Sequence, residues 1–436
     1  MSAVDQQLLG ELVGAVQDAL EAEATQRAGS NRPELDRVAQ EALAVEVLRR
    51  ELERIDSRRL AAGTQTLSDD EERWLTDRVL AIAVGLGPID VLLADEGVEE
   101  VAFSRFDTGM LIHSDETRSH VEETFFRSER ELTMWIGHLA RTRGRTERQF
   151  NAQSPVLVMR VGPGLRLAAV RDVSQHASFV LRRNTMGDKV ALSDLAGRGM
   201  FPPVLAELFA ALMRSVEMRF VVVGSTGAGK TTLARACLRE LGPMARPIII
   251  EDTAEIDLWD PVEHPFVESW EERLPNNEGQ GAIRGGELVK QALRYRPDWL
   301  SYGEVRDSEA AIPMLKAMTH GQSSLTTVHA HSALGGLDKL ALYLTSGADR
   351  LADSVAHNHL SMAVDFVIHV DRGRGGGRYV SEVLEVAGFD NGRVTTNTIY
   401  ETDGTSGRSM QRLTRLHVEQ LTRAAFDVDT LGPGLR

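Results

Sequence analysis

Cysteine is all but missing from this 436-residue chain: Cys237 stands alone, which excludes a disulfide framework and any cysteine-rich zinc centre. Lysine is scarce too, with five in all. No apolar run approaches the ~18 residues that cross a bilayer. The opening residues lack the basic start and apolar centre of a secretory signal. Positive charge is in deficit, since 49 Lys and Arg against 64 Asp and Glu leave −15 at pH 7, and this disfavours broad electrostatic capture of nucleic acid or an anionic membrane. These absences place the expected protein in the cytoplasm, with no direct nucleic acid and with membrane association only through partners. What is present is 42% hydrophobic residues, enough to give a core to each of the two or three domains that the length suggests at ~150 residues apiece.

Along the chain the text changes character three times. Leu8, Leu12, Val16 and Leu20 recur four apart, and Val45, Leu48, Leu52 and Ile55 follow with 3-4-3 spacing among many charges. Residues 1–72 therefore read as a helical arm whose stripes either pack on their own domain or form a docking seam. Too few heptads are present for a sustained coiled coil. From 73 to 183, short strands and helices punctuated by GLGPID (85–90) and VGPGLR (161–166) suggest an α+β domain. A connector is expected over 184–203, where Gly187, Gly197, Gly199 and the pair Pro202-Pro203 cluster. Over 204–436 strand-like FVVV, PIII, WLSY and SLTTV alternate with helical TTLARACLREL, ELVKQALRY and EAAIPMLKAM, the pattern of a mostly parallel sheet with helices on both faces. The glycine-rich tract Gly373 to Arg378 reads as a hairpin loop, because no helix follows it.

Chemistry concentrates first at Gly224, Ser225, Thr226, Gly227, Ala228, Gly229, Lys230, Thr231 and Thr232, a full match to G-x-x-x-x-G-K-[ST]. A strand-like run precedes it and a helix-like run follows. Glycines there bend the chain so that successive N–H groups surround a polyphosphate at a helix N-terminus. Lys230 supplies a mobile cation for the β and γ phosphates, and the Thr231 hydroxyl a ligand for Mg²⁺. ATP with Mg²⁺ is the expected nucleotide, since no N-K-x-D guanine-reading motif is found.

Two strand ends carry acids: Glu251, Asp252 and Glu255 follow PIII, and Glu304 follows WLSY within Gly303-Glu-Val-Arg306-Asp307. Open α/β sheets place ligands outside the carboxyl ends of strands, so both groups suit the phosphate end, with Glu304 fitted to hold Mg²⁺ or its water. His329 and His331 end a further strand. His329 suits a hydrogen bond to the γ phosphate, and a metal pair with His331 lacks further ligands. Phosphoryl transfer often draws on an arginine from outside the pocket, and Arg160, Arg166, Arg171, Arg182 and Arg183 are on offer.

Taken in order, GLGPID, PGLR, FVLRR, GSTGAGKTT, EDTAE, RLPNNEGQGAI, LVKQALRYRPD, GEVRD and TTVHAHS resemble the traffic ATPases of type II and type IV secretion and pilus assembly, most closely the CpaF-type branch. The resemblance implies a RecA-like C-terminal ATPase domain, nucleotide between it and the N-terminal domain, and a homohexameric ring that drives inner-membrane platform proteins of a pilus or secretion machine. Carried over by position, it makes Glu255 the base that polarises water, Glu304 the Walker B-like acid and His329 the γ-phosphate sensor. Arg166 and Arg182 become the arginines that reach the phosphates, while Arg273 and Arg294 lie in further family boxes.

Two departures from that family stand out. Thr319-His320-Gly321 replaces the usual Gly-His opening of the histidine box, so no role passes to His320, and Val158 replaces an acid common after S-P-x-x. The absent tetracysteine motif points away from the type II branch. The function expected is a Mg²⁺-dependent ATP-hydrolysing motor; the alternatives are a nucleotide-gated scaffold with little hydrolysis and a DNA-translocating ATPase.

Overall fold

The computed structural model describes every residue except 1–2, 30–34, 36, 96, 116, 144–148, 163, 184–189, 216–217, 274, 276–279, 348–350, 374–375, 405–406, 410–411 and 432–436. The described chain forms two compact units, Met1–Thr185 and Met186–Arg436. No described helix is long and apolar enough to cross a membrane.

The first unit opens with helices α1 (Ala3–Gly29), α2 (Arg37–Ala61) and α3 (Asp69–Ala83). Ser68 starts α3 through a capping box: its side chain accepts from the Glu71 N–H while Glu71 accepts from the Ser68 N–H, worth about 1 kcal/mol. The two apolar stripes meet each other and α3, since Leu12, Val16, Leu48, Leu52 and Ile55 are buried with Leu75 and Val79. Val45, the first member of the 3-4-3 pattern, points outward at 46% exposure. Ala44 takes the inward place because it lies four residues before Leu48, one turn along the same face.

An antiparallel sheet follows, built from β1 (Val98–Arg105), β2 (Thr108–His113), β3 (Arg118–Val121), β4 (Val156–Gly162), β5 (Leu165–Val170) and β6 (Ser178–Arg183) in the order β3-β2-β1-β6-β5-β4. Strand alternation sends Met159, Leu167, Leu181, Phe179 and Phe103 into a core that includes Leu132, Ile136 and Leu139 of α4 (Glu129–Thr142). Phe103 and Phe179 stack there at 5.1 Å between ring centroids. Alternate positions face the other way, and strand register aligns Glu100, Arg182, Arg166 and Arg160 in one row across four strands.

In the second unit, α5 (Leu192–Gly197) and α6 (Pro203–Arg214) precede β7 (Arg219–Gly224), α7 (Lys230–Leu238), β8 (Pro247–Glu251), β9 (Glu268–Glu271), α8 (Gly285–Ala292), β10 (Trp299–Val305), α9 (Ser308–Thr319) and β11 (Ser324–Val328). Of the expected connector, 184–189 lie outside the described residues. Val190, Leu192, Leu195, Met200 and Phe201 are buried in the core of this unit. Helices α10 (Ala333–Ser346) and α11 (Asp353–Ala363) lead to β12 (Phe366–Arg372), β13 (Arg378–Asp390), β14 (Arg393–Thr402), β15 (Gly407–Ser409) and α12 (Arg415–Arg423).

The sheet order is β15-β14-β13-β12-β7-β11-β10-β8-β9, parallel from β12 to β9 and antiparallel from β12 to β15. Residues of β7 alternate between its two faces. Phe220 and Val222 join the core with α5, α6 and α7, while Val221 and Val223 join the core with α8 to α11. The Gly373 to Arg378 tract joins β12 to its antiparallel neighbour β13, with 374–375 outside the described residues. Two glycines allow close approach here: a Cβ on Gly224 would lie 2.4 Å from the Val370 carbonyl oxygen, and one on Gly336 of α10 would lie 2.6 Å from Val223 Cγ2.

Candidate nucleotide site

Residues 224–230 turn the end of β7 into the start of α7, with Gly227 at φ 73° and Gly229 at φ 101°, a region that glycine adopts without steric cost. Lys230 is the first residue of that helix and is 6% exposed. Its ammonium donates to the carbonyls of Gly224 (3.1 Å) and Ser225 (3.0 Å) and lies 3.0 Å from His329 Nδ1 and 3.8 Å from Glu304 Oε1. Burial, which outweighs the attraction of Glu304, brings Lys230 down to about 8.

Strand β11 ends at Val328, so His329 follows the strand rather than occupying its face. Lys339 of α10 donates to the His329 carbonyl at 2.8 Å and holds the residue in place. The imidazole bridges two charges: with Nδ1 toward the ammonium, Nε2 donates to Glu304 Oε1 at 2.7 Å. Burial and then the Lys230 charge hold His329 below the ordinary histidine range, which favours this neutral form. The other oxygen of Glu304 accepts from Arg306 Nε at 2.6 Å, and Arg306 Nη1 reaches Asp252 Oδ2 at 2.6 Å. Arg306 thus ties the acidic ends of β8 and β10 together.

The structure brings Lys230, Glu304 and His329 into one cluster beside the phosphate-type loop, with Ser225, Thr226 and Ala228 in the loop itself and Thr231 and Thr232 in the first turn of α7. Glu255 is half-buried in the segment after β8, close enough for its charge to act on Lys230. Glu251 turns inward instead. Its carboxylate accepts from the N–H groups of Glu255 and Ile256, and burial pushes it up to about 7. His331 is exposed, and among the described residues no group of three or more His, Cys, Asp or Glu side chains is arranged to hold a metal ion. The Thr231 hydroxyl and the Glu304 carboxylate are hard oxygen donors of the kind that Mg²⁺ takes alongside phosphates.

In the first unit, Arg183 donates to the carbonyls of Leu93 and Asp95, and Arg171 pairs with Asp172. Arg160, Arg166 and Arg182 remain together in the row described above. Arg273 donates to the Gly281 carbonyl and Arg294 to Gln291, both within their own segments. His320 caps α9, its Nδ1 lying 2.6 Å from the Lys316 carbonyl. Arg306 and Lys339 were not singled out as site residues from sequence. Arg306 sits inside the quoted GEVRD box, two residues from Glu304 and on the same strand-end face, and that was the available signal.

Residues 164–368 match the family described as Type II/IV secretion system protein. A Mycobacterium tuberculosis protein provisionally named for conjugal transfer is 35% identical over 225 residues, 49% of this chain and 58% of that protein. Conjugal transfer protein TrbB of Rhizobium radiobacter is 34% identical over 200 residues, 44% of this chain and 57% of TrbB. The chain therefore spans under three fifths of the length of these relatives. The solved structure of the Legionella pneumophila ATPase DotB, 16% identical, covers 68% of this chain and 81% of its own with a TM-score of 0.50, a likeness of fold. The matched segment contains the loop at 224–232, both acidic strand ends and His329, so the likeness to type II/IV secretion proteins falls on the residues of this site.

Proposed function

We propose that the chain is an ATP-hydrolysing motor of a type IV secretion, conjugation or pilus-assembly machine. The observation that carries this reading is the convergence of Lys230, Glu304 and His329 at one sheet edge, beside a loop whose glycines leave backbone N–H groups for a polyphosphate. Lys230 and the amides of 224–232 take the β and γ phosphates. Glu255 orients and polarises the attacking water, and His329 hydrogen-bonds the γ phosphate and senses its hydrolysis. Mg²⁺, when bound by Thr231 and the Glu304 side, neutralises phosphate charge. Arg166 and Arg182 are assigned to the charge that develops on the transferred group, a role worth ~10³ to 10⁵ in rate where arginines perform it.

A homohexameric ring, a cytoplasmic location and inner-membrane platform proteins as partners complete the proposal. They rest on the family resemblance, and the names of the two conjugal-transfer relatives favour a type IV machine. The acidic balance argues against direct DNA binding. Purified protein with ATP and Mg²⁺ tests the reading: steady phosphate release is expected, abolished in Lys230→Ala and Glu304→Gln. Equal release by all three proteins would overturn it. Mass measurement with and without ATP tests the ring.

A further inference from the structure

Among the acids of the EDTAE segment, Glu251 has no part in the proposed chemistry, yet it is the most deeply placed, at 4% exposure. The charges nearest in effect, Glu255 and Asp252, are of its own sign. A carboxylate in such a place is costly unless its oxygens are used. Here they are: Oε1 accepts from the Glu255 N–H at 3.0 Å and from the Ile256 N–H at 3.0 Å, and Oε2 lies 3.3 Å from the same Ile256 nitrogen. The carbonyl of Glu255 is taken from the opposite direction by Arg235 Nη2, a buried residue of α7. Residue 255 is therefore gripped at both its backbone polar groups, once from the end of β8 and once from the helix that begins at Lys230.

The neighbouring strand makes room for this arrangement. A Cβ on Gly303 of β10 would stand 2.9 Å from Glu251 Cγ, and the Gly303 carbonyl is fixed by the Thr327 hydroxyl at 2.7 Å. Gly303 immediately precedes Glu304. The glycine of the GEVRD box thus leaves the space that the Glu251 side chain fills.

We propose that Glu251 is a positioning residue, whose carboxylate holds the Glu255 backbone so that the Glu255 side chain is presented at the edge occupied by Lys230 and Glu304. The proposal rests on the assignment of Glu255 as the group that polarises water. Glu251 acts on the orientation of Glu255 and not on nucleotide capture, so its loss lowers kcat and leaves the KM for ATP in place. One acceptor oxygen already serves both N–H groups, so glutamine in the same place retains the grip without the charge.

The test uses the full chain with Mg²⁺ and ATP, comparing kcat and KM of wild type, Glu251→Ala, Glu251→Gln, Gly303→Ala and Glu255→Gln, with the urea midpoint of each. Glu251→Ala is expected to lose ~30-fold in kcat with KM within about twofold, and Glu251→Gln to stay within about threefold of wild type. Gly303→Ala, which presses a methyl group against Glu251 from the adjacent strand, is expected to reproduce the kcat loss, and it carries the test if Glu251→Ala does not fold. Wild-type kcat in both Glu251→Ala and Gly303→Ala would overturn the proposal, as would a Glu251→Gln protein as impaired as a folded Glu251→Ala. Failure of the underlying assignment looks different: Glu255→Gln would then turn over at the wild-type rate.

Discussion

The two ends of strand β7 hold buried charge in contrasting ways. At its first residue, Arg219 grips Asp365 through its backbone N–H (2.8 Å), Nε (2.8 Å) and Nη2 (2.6 Å), and its Nη1 donates to the carbonyls of Met318 and Met362. Asp365 faces His417 of α12, whose other ring nitrogen meets Glu385, and Glu385 also accepts from Thr414 and Asn397. Every charge there meets its opposite. Despite burial, the two carboxylates hold His417 up to about 9, and in return they stay below their ordinary ranges.

At the other end, Lys230 has two carbonyls and a neutral imidazole for partners, with its nearest carboxylate 3.8 Å away. Its proton is held less firmly than that of an ordinary lysine. A saturated cluster fastens the C-terminal helix to the sheet, whereas an under-compensated cation is one that an incoming anion can recruit.

The comparison can be broken at either end. Lys230→Ala should lower ATP turnover by ~10³ or more while leaving the urea midpoint near wild type, because no opposite charge at hydrogen-bond distance is orphaned. A drop in midpoint as large as that of a β12–α12 variant would erase the distinction. Glu385→Ala should do the reverse, costing about 3–5 kcal/mol in urea unfolding by removing the nearer of the two carboxylates that hold His417, with single-turnover rate at saturating ATP within about twofold of wild type.

The pH dependence sharpens the contrast. The folded pKa of His417 lies above its unfolded value of 6.5, so its contribution is complete below that pH and disappears as pH rises through about 9. The contributions of Asp365 and Glu385, whose pKa values are lowered, are present above their unfolded values of 3.8 and 4.5 and disappear in acid. Wild-type stability should therefore peak between about pH 4.5 and 6.5 and fall by about 2–3 kcal/mol on going to pH 9, and His417→Gln should flatten that fall. The smallest change is Thr414→Val, which removes the hydroxyl donor 2.7 Å from Glu385 and should cost about 1 kcal/mol in the same titration.

What the sequence made legible was local. The strand–loop–helix at 219–238 and the alternation of strands and helices through β11 depend on periods of two and 3.6 within single segments, and glycine spacing alone marks the phosphate-type loop. The same rule drew attention to Glu304 and His329, which stand at or just past the carboxyl ends of β10 and β11. The Arg219–Asp365–His417–Glu385 cluster was not readable, because its members come from β7, the residue before β12, β13 and α12 and meet only once the antiparallel extension has folded back. Glu251 was legible as a strand-end acid but not as an inward-facing one. It opens a segment that also carries Asp252 and Glu255, and only the turn of 252–256 brings two N–H groups back over it. In the arm, Ala44 displaced Val45 from the buried stripe, a rotation of one residue that hydrophobicity alone does not resolve.

The close approaches at Gly224 and Gly336 give the end of β7 no slack. With the Val370 carbonyl pressed against one residue and α10 seated on the side chain of the one before, the strand is keyed into its surroundings like a joint without play. Any displacement of the loop at 225–229 that moves this strand end must therefore press on β12 and α10, the two elements in contact with it.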